Sequence, residues 1–323
     1  MLDVVREVQE AECRIRDYIR ETPLEYSHPL SSMGRGNVYL KLENVQVSGS
    51  FKIRGVFNKL LSLNFNEYRG RKFITASTGN HGVAFAHAIS TLDLQGIVFL
   101  PENTSPAKIR DIGQYNVELQ FYGTDSVETE RFARRFAEKM GFMYIPPYND
   151  PKIIGGQGTI GIELERQLKD IDNILVPVGG GGLISGIAGY LKRVMPHIEV
   201  IGVQPENSAV MYHSLRAGRI LEMESKPTLS DGTAGGIEGD SITFDLCKRY
   251  VDDFILVSER EIAESILFIL ERHHLLIEGA AALPVAAYLS DPDRFRGGNV
   301  VLVLSGCRID LSTLKEILKS YVN

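Results

Sequence analysis

Lys52 stands between Phe51 and Ile53 in "VSGSFKIRGV", residues 47 to 56, among small and apolar neighbours. An ordinary lysine is solvated and protonated. A lysine meant for chemistry needs a partly desolvated seat, because only the neutral amine attacks a carbonyl or accepts a proton. Three other stretches carry groups with which such a lysine could work. In "VPVGGGGLISGIAGYLKRV" an apolar strand runs into Gly179, Gly180, Gly181 and Gly182 and then into a helix. Successive glycine N–H groups can converge there at a helix N-terminus, where partial positive charge favours a phosphate. In "TASTGNHGVAFA", Ser77, Thr78, Gly79, Asn80 and His81 offer hydroxyls, a side-chain amide and helix-start N–H groups, a seat for a carboxylate. An ordinary N-cap accounts for one of these residues and not for all. In "VVLVLSGCRID" an apolar strand ends in Ser305, at the carboxyl end where α/β folds place binding residues.

Two common phosphate binders do not fit the glycine run. A nucleotide P-loop closes on Gly-Lys-Ser/Thr, and Leu183 and Ile184 stand there instead. A dinucleotide fingerprint needs a third glycine and an acid closing the next strand, which here ends in Gln204. The histidines show no metal-ligand spacing, so no catalytic metal is expected. Cys307, two residues beyond Ser305, reads as a packed small apolar group and not as a nucleophile. Glu278 in "LLIEGAAALPVAAY" opens a small-residue helix, either as an ordinary first-turn acid or as a group facing a cofactor cleft.

The elements that must position these groups follow a βα rhythm. Short β-branched or aromatic runs, "NVYLKLE", "KFITAS", "GIVFL", "VELQFYG", "NILVPVG", "EVIGVQ", "DFILVS" and "NVVLVLSG", alternate with helical patterns. That is the signature of buried, mostly parallel sheets. Helix punctuation is explicit at Ser105-Pro106, at Ser258 with Glu261 as a capping box, and at Gly141 after "ETERFARRFAEKM". Val5, Val8, Ile15 and Ile19 place an amphipathic helix at the start of the chain. "PPYNDPKIIGGQGTIG", residues 146 to 161, reads as a cluster of turns at a crossing between lobes.

With 323 residues, 44% of them hydrophobic, the chain can bury a large α/β core or two lobes. A net charge of −6 without a basic stripe argues against nucleic acid and against an anionic membrane surface. No apolar run approaches the roughly 20 residues that span a bilayer. Cys13, Cys247 and Cys307 form no close pair, which excludes a disulfide framework and fits a reducing cytoplasm.

A lysine, a phosphate nest, a carboxylate seat and a strand-end hydroxyl are the parts needed to hold pyridoxal phosphate and an amino acid. "SGSFKIRGV", "STGNHG", "GQGTIG", "VGGGGLISG", "SDGTAGG", "LLIEGAA" and "LSGCRID" occur in that order along nearly the whole chain. In this the sequence resembles the fold-type II pyridoxal-phosphate enzymes of the threonine and serine dehydratase group, which includes serine racemases. The resemblance implies an α/β fold with two lobes, a larger one from 1–69 and 149–323 and a smaller one from 70–148. It implies that Lys52 bonds the cofactor and moves the Cα proton, and that Phe51 lies against the ring. Asn80 would meet the ring hydroxyl, Gly179 to Gly182 the phosphate, and Ser305 the pyridine nitrogen. Ser77, Thr78, Gly79, Asn80 and His81 would line the carboxylate site, with Thr78 as a second catalytic group.

The implied reaction is β-elimination from a hydroxy amino acid such as L-threonine or L-serine, giving a 2-oxo acid and ammonia. Similarity to hydroxyectoine-breakdown dehydratases and to racemases leaves those activities as alternatives, and a non-catalytic phosphate sensor is a third. Serine racemases of this kind hold a divalent cation with acids where this chain has Gln204 and Val210, so no metal is expected. The family also implies a homodimer or homotetramer.

Overall fold

The computed structural model describes residues 2–64, 67, 68 and 70–321. Its strands are β1 (Leu24–Tyr26), β2 (Asn37–Leu42), β3 (Phe73–Ala76), β4 (Gly96–Leu100), β5 (Glu118–Phe121), β6 (Met143–Tyr144), β7 (Asn173–Pro177), β8 (Glu199–Pro205), β9 (Asp253–Val257) and β10 (Asn299–Leu304). The helices are α1 (Val4–Ile15), α2 (His28–Gly34), α3 (Lys52–Leu61), α4 (Asn80–Thr91), α5 (Pro106–Gly113), α6 (Ser126–Met140), α7 (Pro151–Gln167), α8 (Gly182–Val194), α9 (Val210–Ala217), α10 (Ile242–Tyr250), α11 (Glu259–His273), α12 (Gly279–Ser290) and α13 (Leu311–Tyr321).

Two sheets divide the strands, in the orders β1-β2-β10-β7-β8-β9 and β5-β4-β3-β6. Every strand pairing is parallel except that of β1 with β2. All eight strands expected from the β-branched runs are present. The short β1 and β6 carry too few residues to produce a periodic signal. The caps at Ser105, Gly141 and Ser258 form as expected, the last as a complete capping box with Glu261. The buried face of α1 is Val4, Glu7, Val8, Ala11 and Ile15, so Val4 leads it rather than Val5.

The stretch from 146 to 161 differs from the expected run of turns. Only its first part is irregular; from Pro151 it is the start of α7, capped by the Asp150 side chain. The glycines serve close helix contacts. A Cβ on Gly155 would lie 2.8 Å from the Glu7 carbonyl, and one on Gly156 would lie 2.5 Å from the Arg54 carbonyl. Helix propensity is surrendered there so that α1, α3 and α8 can approach α7. The expected lobe boundary at residue 69 lies outside the described residues.

A buried charge cluster fixes α3. The fully buried Arg54 guanidinium donates to Glu43 at 2.8 Å and to Glu163 of α7 at 2.7 Å, while Lys41 of β2 reaches Glu163 at 2.6 Å. Arg54 lies two positions after Lys52, so the cluster anchors the first turn of the helix that presents the lysine.

Candidate active site

Lys52 opens α3, with Phe51 as the preceding N-cap residue. The Phe51 N–H donates to the Ser305 carbonyl at 3.1 Å, and Ser50 forms a β-bridge with Gly306. These contacts bring the lysine to the carboxyl end of β10. The half-buried Lys52 amine donates to the Pro147 carbonyl at 2.9 Å and lies 5.3 Å from the Phe51 ring centroid. Burial lowers its pKa to about 8, partly opposed by the Glu278 carboxylate. A substantial neutral fraction near neutrality is what a nucleophilic or basic lysine requires.

Pro147 is followed by Tyr148, whose ring covers the glycine run. A Cβ on Gly180 would come within 2.6 Å of that ring, and one on Gly182 within 2.9 Å of the Tyr148 side chain. Gly181 has φ of 85°, the left-handed region that glycine adopts without strain, and caps α8. On the opposite wall a Cβ at Gly179 would lie 3.0 Å from the Thr233 backbone. The run thus turns sharply at the N-terminus of α8 with no room for side chains, as a phosphate-cradling turn requires.

Ser77, Thr78 and Gly79 form the turn between β3 and α4, where the Gly79 N–H donates to Ser77 Oγ at 3.3 Å. Asn80 and His81 begin α4, so their N–H groups are among those that find no acceptor within the helix. The His81 imidazole does not face this turn. It is buried, with Nε2 3.0 Å from the Ile145 carbonyl, and burial together with the nearby Lys52 charge lowers its pKa to about 3. The ring is therefore neutral, and what His81 offers at the turn is backbone.

Glu278 resolves to the cleft-facing alternative. It is buried, accepts both contacts of the Asn80 amide nitrogen at 2.7 and 2.9 Å, and accepts from the Arg308 N–H at 3.0 Å. Burial raises its pKa to about 7, against the hydrogen bond from Asn80. Its sequence signal is its place in "LLIEGAA", immediately before the small-residue α12. Tyr148 and Pro147 leave less, since their roles come from contacts made across the fold.

Continuous contacts thus run from the glycine turn through Tyr148, Pro147, Lys52, Phe51, Ser305 and Gly306 to Glu278 and Asn80. Over residues 15–306 the chain matches the profile of the family described as pyridoxal-phosphate dependent enzyme. The chain belongs to that family. It is 41% identical over 314 residues to an L-threonine ammonia-lyase of Thermotoga maritima, covering 97% of this chain and 78% of the relative. Among solved structures it is similar to the processed form of threonine deaminase isoform 2 from Solanum lycopersicum, with TM-score 0.94 and 33% identity, covering 99% of this chain and 88% of that one. It also resembles maize serine racemase, with TM-score 0.91 and 30% identity, covering 98% and 97% of the two chains.

The site suits the family's cofactor. Asn80 Oδ1 and Ser305 Oγ are buried without a hydrogen-bond partner, an arrangement that costs free energy unless a polar group arrives to satisfy them. The glycine turn at the start of α8 has the form a phosphate needs, and the Lys52 amine has the lowered pKa that a nucleophile needs. Gln204 is occupied internally: its amide donates to the Val178 carbonyl at 3.1 Å and accepts from the Tyr212 N–H at 2.8 Å. Among the described residues no three His, Cys, Asp or Glu side chains gather as a metal site, and no helix is long and apolar enough to cross a membrane.

Proposed function

We propose that the protein is a pyridoxal-phosphate dependent ammonia-lyase that converts a hydroxy amino acid such as L-threonine or L-serine to a 2-oxo acid and ammonia. The observation that carries this reading is the junction of Lys52, Asn80, Ser305 and the glycine turn in a chain 41% identical to an L-threonine ammonia-lyase. Bound pyridoxal phosphate supplies a conjugated ring that accepts the charge developing at Cα. Lys52 would hold that group through its amine, and the same amine would take the proton from the substrate Cα. Gly179 to Gly182 would hold the phosphate, Phe51 would pack against the ring, and Asn80 would hydrogen-bond its hydroxyl. Ser305, whose buried Oγ has no partner, would meet the pyridine nitrogen, and as a neutral hydroxyl it would share a hydrogen bond there without fixing a proton.

Ser77, Thr78, Gly79, Asn80 and His81 seat the substrate carboxylate, His81 through its N–H. We take residues 70–148, with the sheet β5-β4-β3-β6, as a smaller lobe closing on a larger lobe of 1–69 and 149–323. A homodimer or homotetramer in the cytoplasm fits the family and the three free thiols.

The test is ammonia release from a panel of hydroxy amino acids, with and without a thiol acceptor, by protein whose visible absorbance is bleached with borohydride in a parallel sample. L-threonine or L-serine should release ammonia and 2-oxo acid in equal amounts, and the reduced cofactor should be found on Lys52. Consumption of the thiol would make the protein a replacement synthase, and absence of bound cofactor would leave a phosphate sensor. The likeness to a serine racemase supports a second reading, which abundant D-serine from L-serine would establish.

A further inference from the structure

Glu238 gathers three parts of the molecule at one carboxylate. Its Oε1 accepts from Arg134 of α6 at 2.8 Å, and its Oε2 accepts from the Asn149 amide at 2.8 Å. Its own N–H donates to the Tyr148 hydroxyl at 2.9 Å. Arg134 is held in turn by Glu130 at 2.8 Å and by the face of Tyr144 at 4.4 Å. Asn149 Oδ1 accepts from the Ile242 N–H at the start of α10, at 3.0 Å. From this node two short paths reach the cofactor site. Through Tyr148 the node sets the ring that lies against Gly180 and Gly182. Through the same segment it sets Pro147, whose carbonyl receives the Lys52 amine.

Neither path needs Glu238 to touch cofactor or substrate. We propose that Glu238 is a positioning residue that ties the phosphate-side glycine turn and the seat of the Lys52 amine to α6, which packs on β3, β4 and β6 of the four-stranded sheet. The inference rests on the proposed cofactor site. The carboxylate suits the task because both oxygens are used by donors from different segments, so one side chain fixes the spacing between them. Removing its charge leaves Arg134 with Glu130 and the Tyr144 face and frees the loop from Thr233 to Ser241 to shift. Tyr148 then loses its hydrogen-bond donor, and the wall of the glycine turn loses its register.

The experiment compares wild type, Glu238→Gln, Arg134→Met and the double variant. Apoenzyme melting temperature is read first, then the apparent dissociation constant for pyridoxal phosphate by fluorescence, then the pH midpoint at which Lys52 of the apoenzyme reacts with an amine-directed reagent. The expected result for Glu238→Gln is affinity weakened by about tenfold or more, since small misplacements are costly in a preorganised site, with a displaced Lys52 midpoint and little change in melting temperature. The double variant should be no weaker than the weaker single variant, because both cut one tie. Unchanged affinity and midpoint in Glu238→Gln, or additive losses in the double variant, would overturn the proposal. If wild type itself holds no cofactor on Lys52, it is the cofactor reading that fails, and the borohydride experiment reports that separately.

Discussion

Lys52 is the residue on which the proposed chemistry depends, and its seat makes a pH prediction. With its pKa lowered to about 8 by burial, the apoenzyme amine should react with trinitrobenzenesulfonate at a rate that climbs with pH and levels off above about 8. A solvated lysine would keep climbing toward its ordinary value of 10.5. Site-resolved labelling by mass spectrometry distinguishes the two, and a profile still rising at pH 10 would contradict the burial. Lys52→Ala should lower turnover by at least about 10²–10⁴-fold, the usual contribution of a positioned base, and abolish borohydride-fixed cofactor while melting close to wild type. Thr78 sets a second expectation. Its branched Cβ restricts χ1, so the hydroxyl is poorly placed to serve both the carboxylate and the far face of Cα. Thr78→Ser should therefore raise the ratio of D-serine to pyruvate formed from L-serine, as measured by chiral chromatography; an unchanged ratio would assign the far-face group elsewhere.

At the scale of elements, α7 shows where composition misleads. Gly155-Gly156, with the nearby Pro-Pro and Asp-Pro, suggested turns because glycine weakens isolated helices, yet Gly155, Gly156 and Gly158 lie where another segment approaches too closely for a side chain. Gly156→Ala would set a methyl 2.5 Å from the Arg54 carbonyl and 2.6 Å from Gly55 Cα, against the backbone of the helix that carries Lys52. Overpacking of this kind costs about 1–3 kcal/mol. The variant should melt several degrees lower, and a melting temperature equal to wild type would show that α3 and α7 can part freely. The strands were readable because buried parallel strands are runs of Val, Ile and Leu, and the caps because they use a few residue types at set offsets. The same holds for the site: Lys52, Asn80, Ser305 and the glycines lie in compact local patterns. Glu278, Tyr148 and Glu238 do not, because their partners are Asn80, Gly180 and Arg134, distant in sequence and brought near only by packing. His81 was legible as part of the turn, but the burial of its ring beneath Ile145 was not.

For the whole molecule, the cluster of Lys41, Glu43, Arg54 and Glu163 links β2, α3 and α7 through charges removed from water. Burial alone would raise the pKa of Glu163, but Arg54 and Lys41 outweigh it and bring it to about 2, below the usual 4.5. A depressed carboxylate contributes stability that is complete above 4.5 and is lost as pH falls through about 2. Arg54→Met leaves carboxylates buried without their partner, at a cost of about 3–5 kcal/mol. Urea unfolding should show that loss near neutral pH, and the gap to wild type should narrow as the pH is lowered and protonation relieves the unpaired acids. A gap independent of pH would mean that the loss comes from packing instead. The sheet order has another consequence, for synthesis. β10 lies between β2 and β7, and its end supplies Ser305 and the bridge from Gly306 to Ser50. A nascent chain still lacking β10 has two unpaired strand edges facing one another, and Lys52 without its neighbour. Such a chain is exposed to chaperones and to aggregation until β10 leaves the ribosome, and the proposed cofactor site is completed only then.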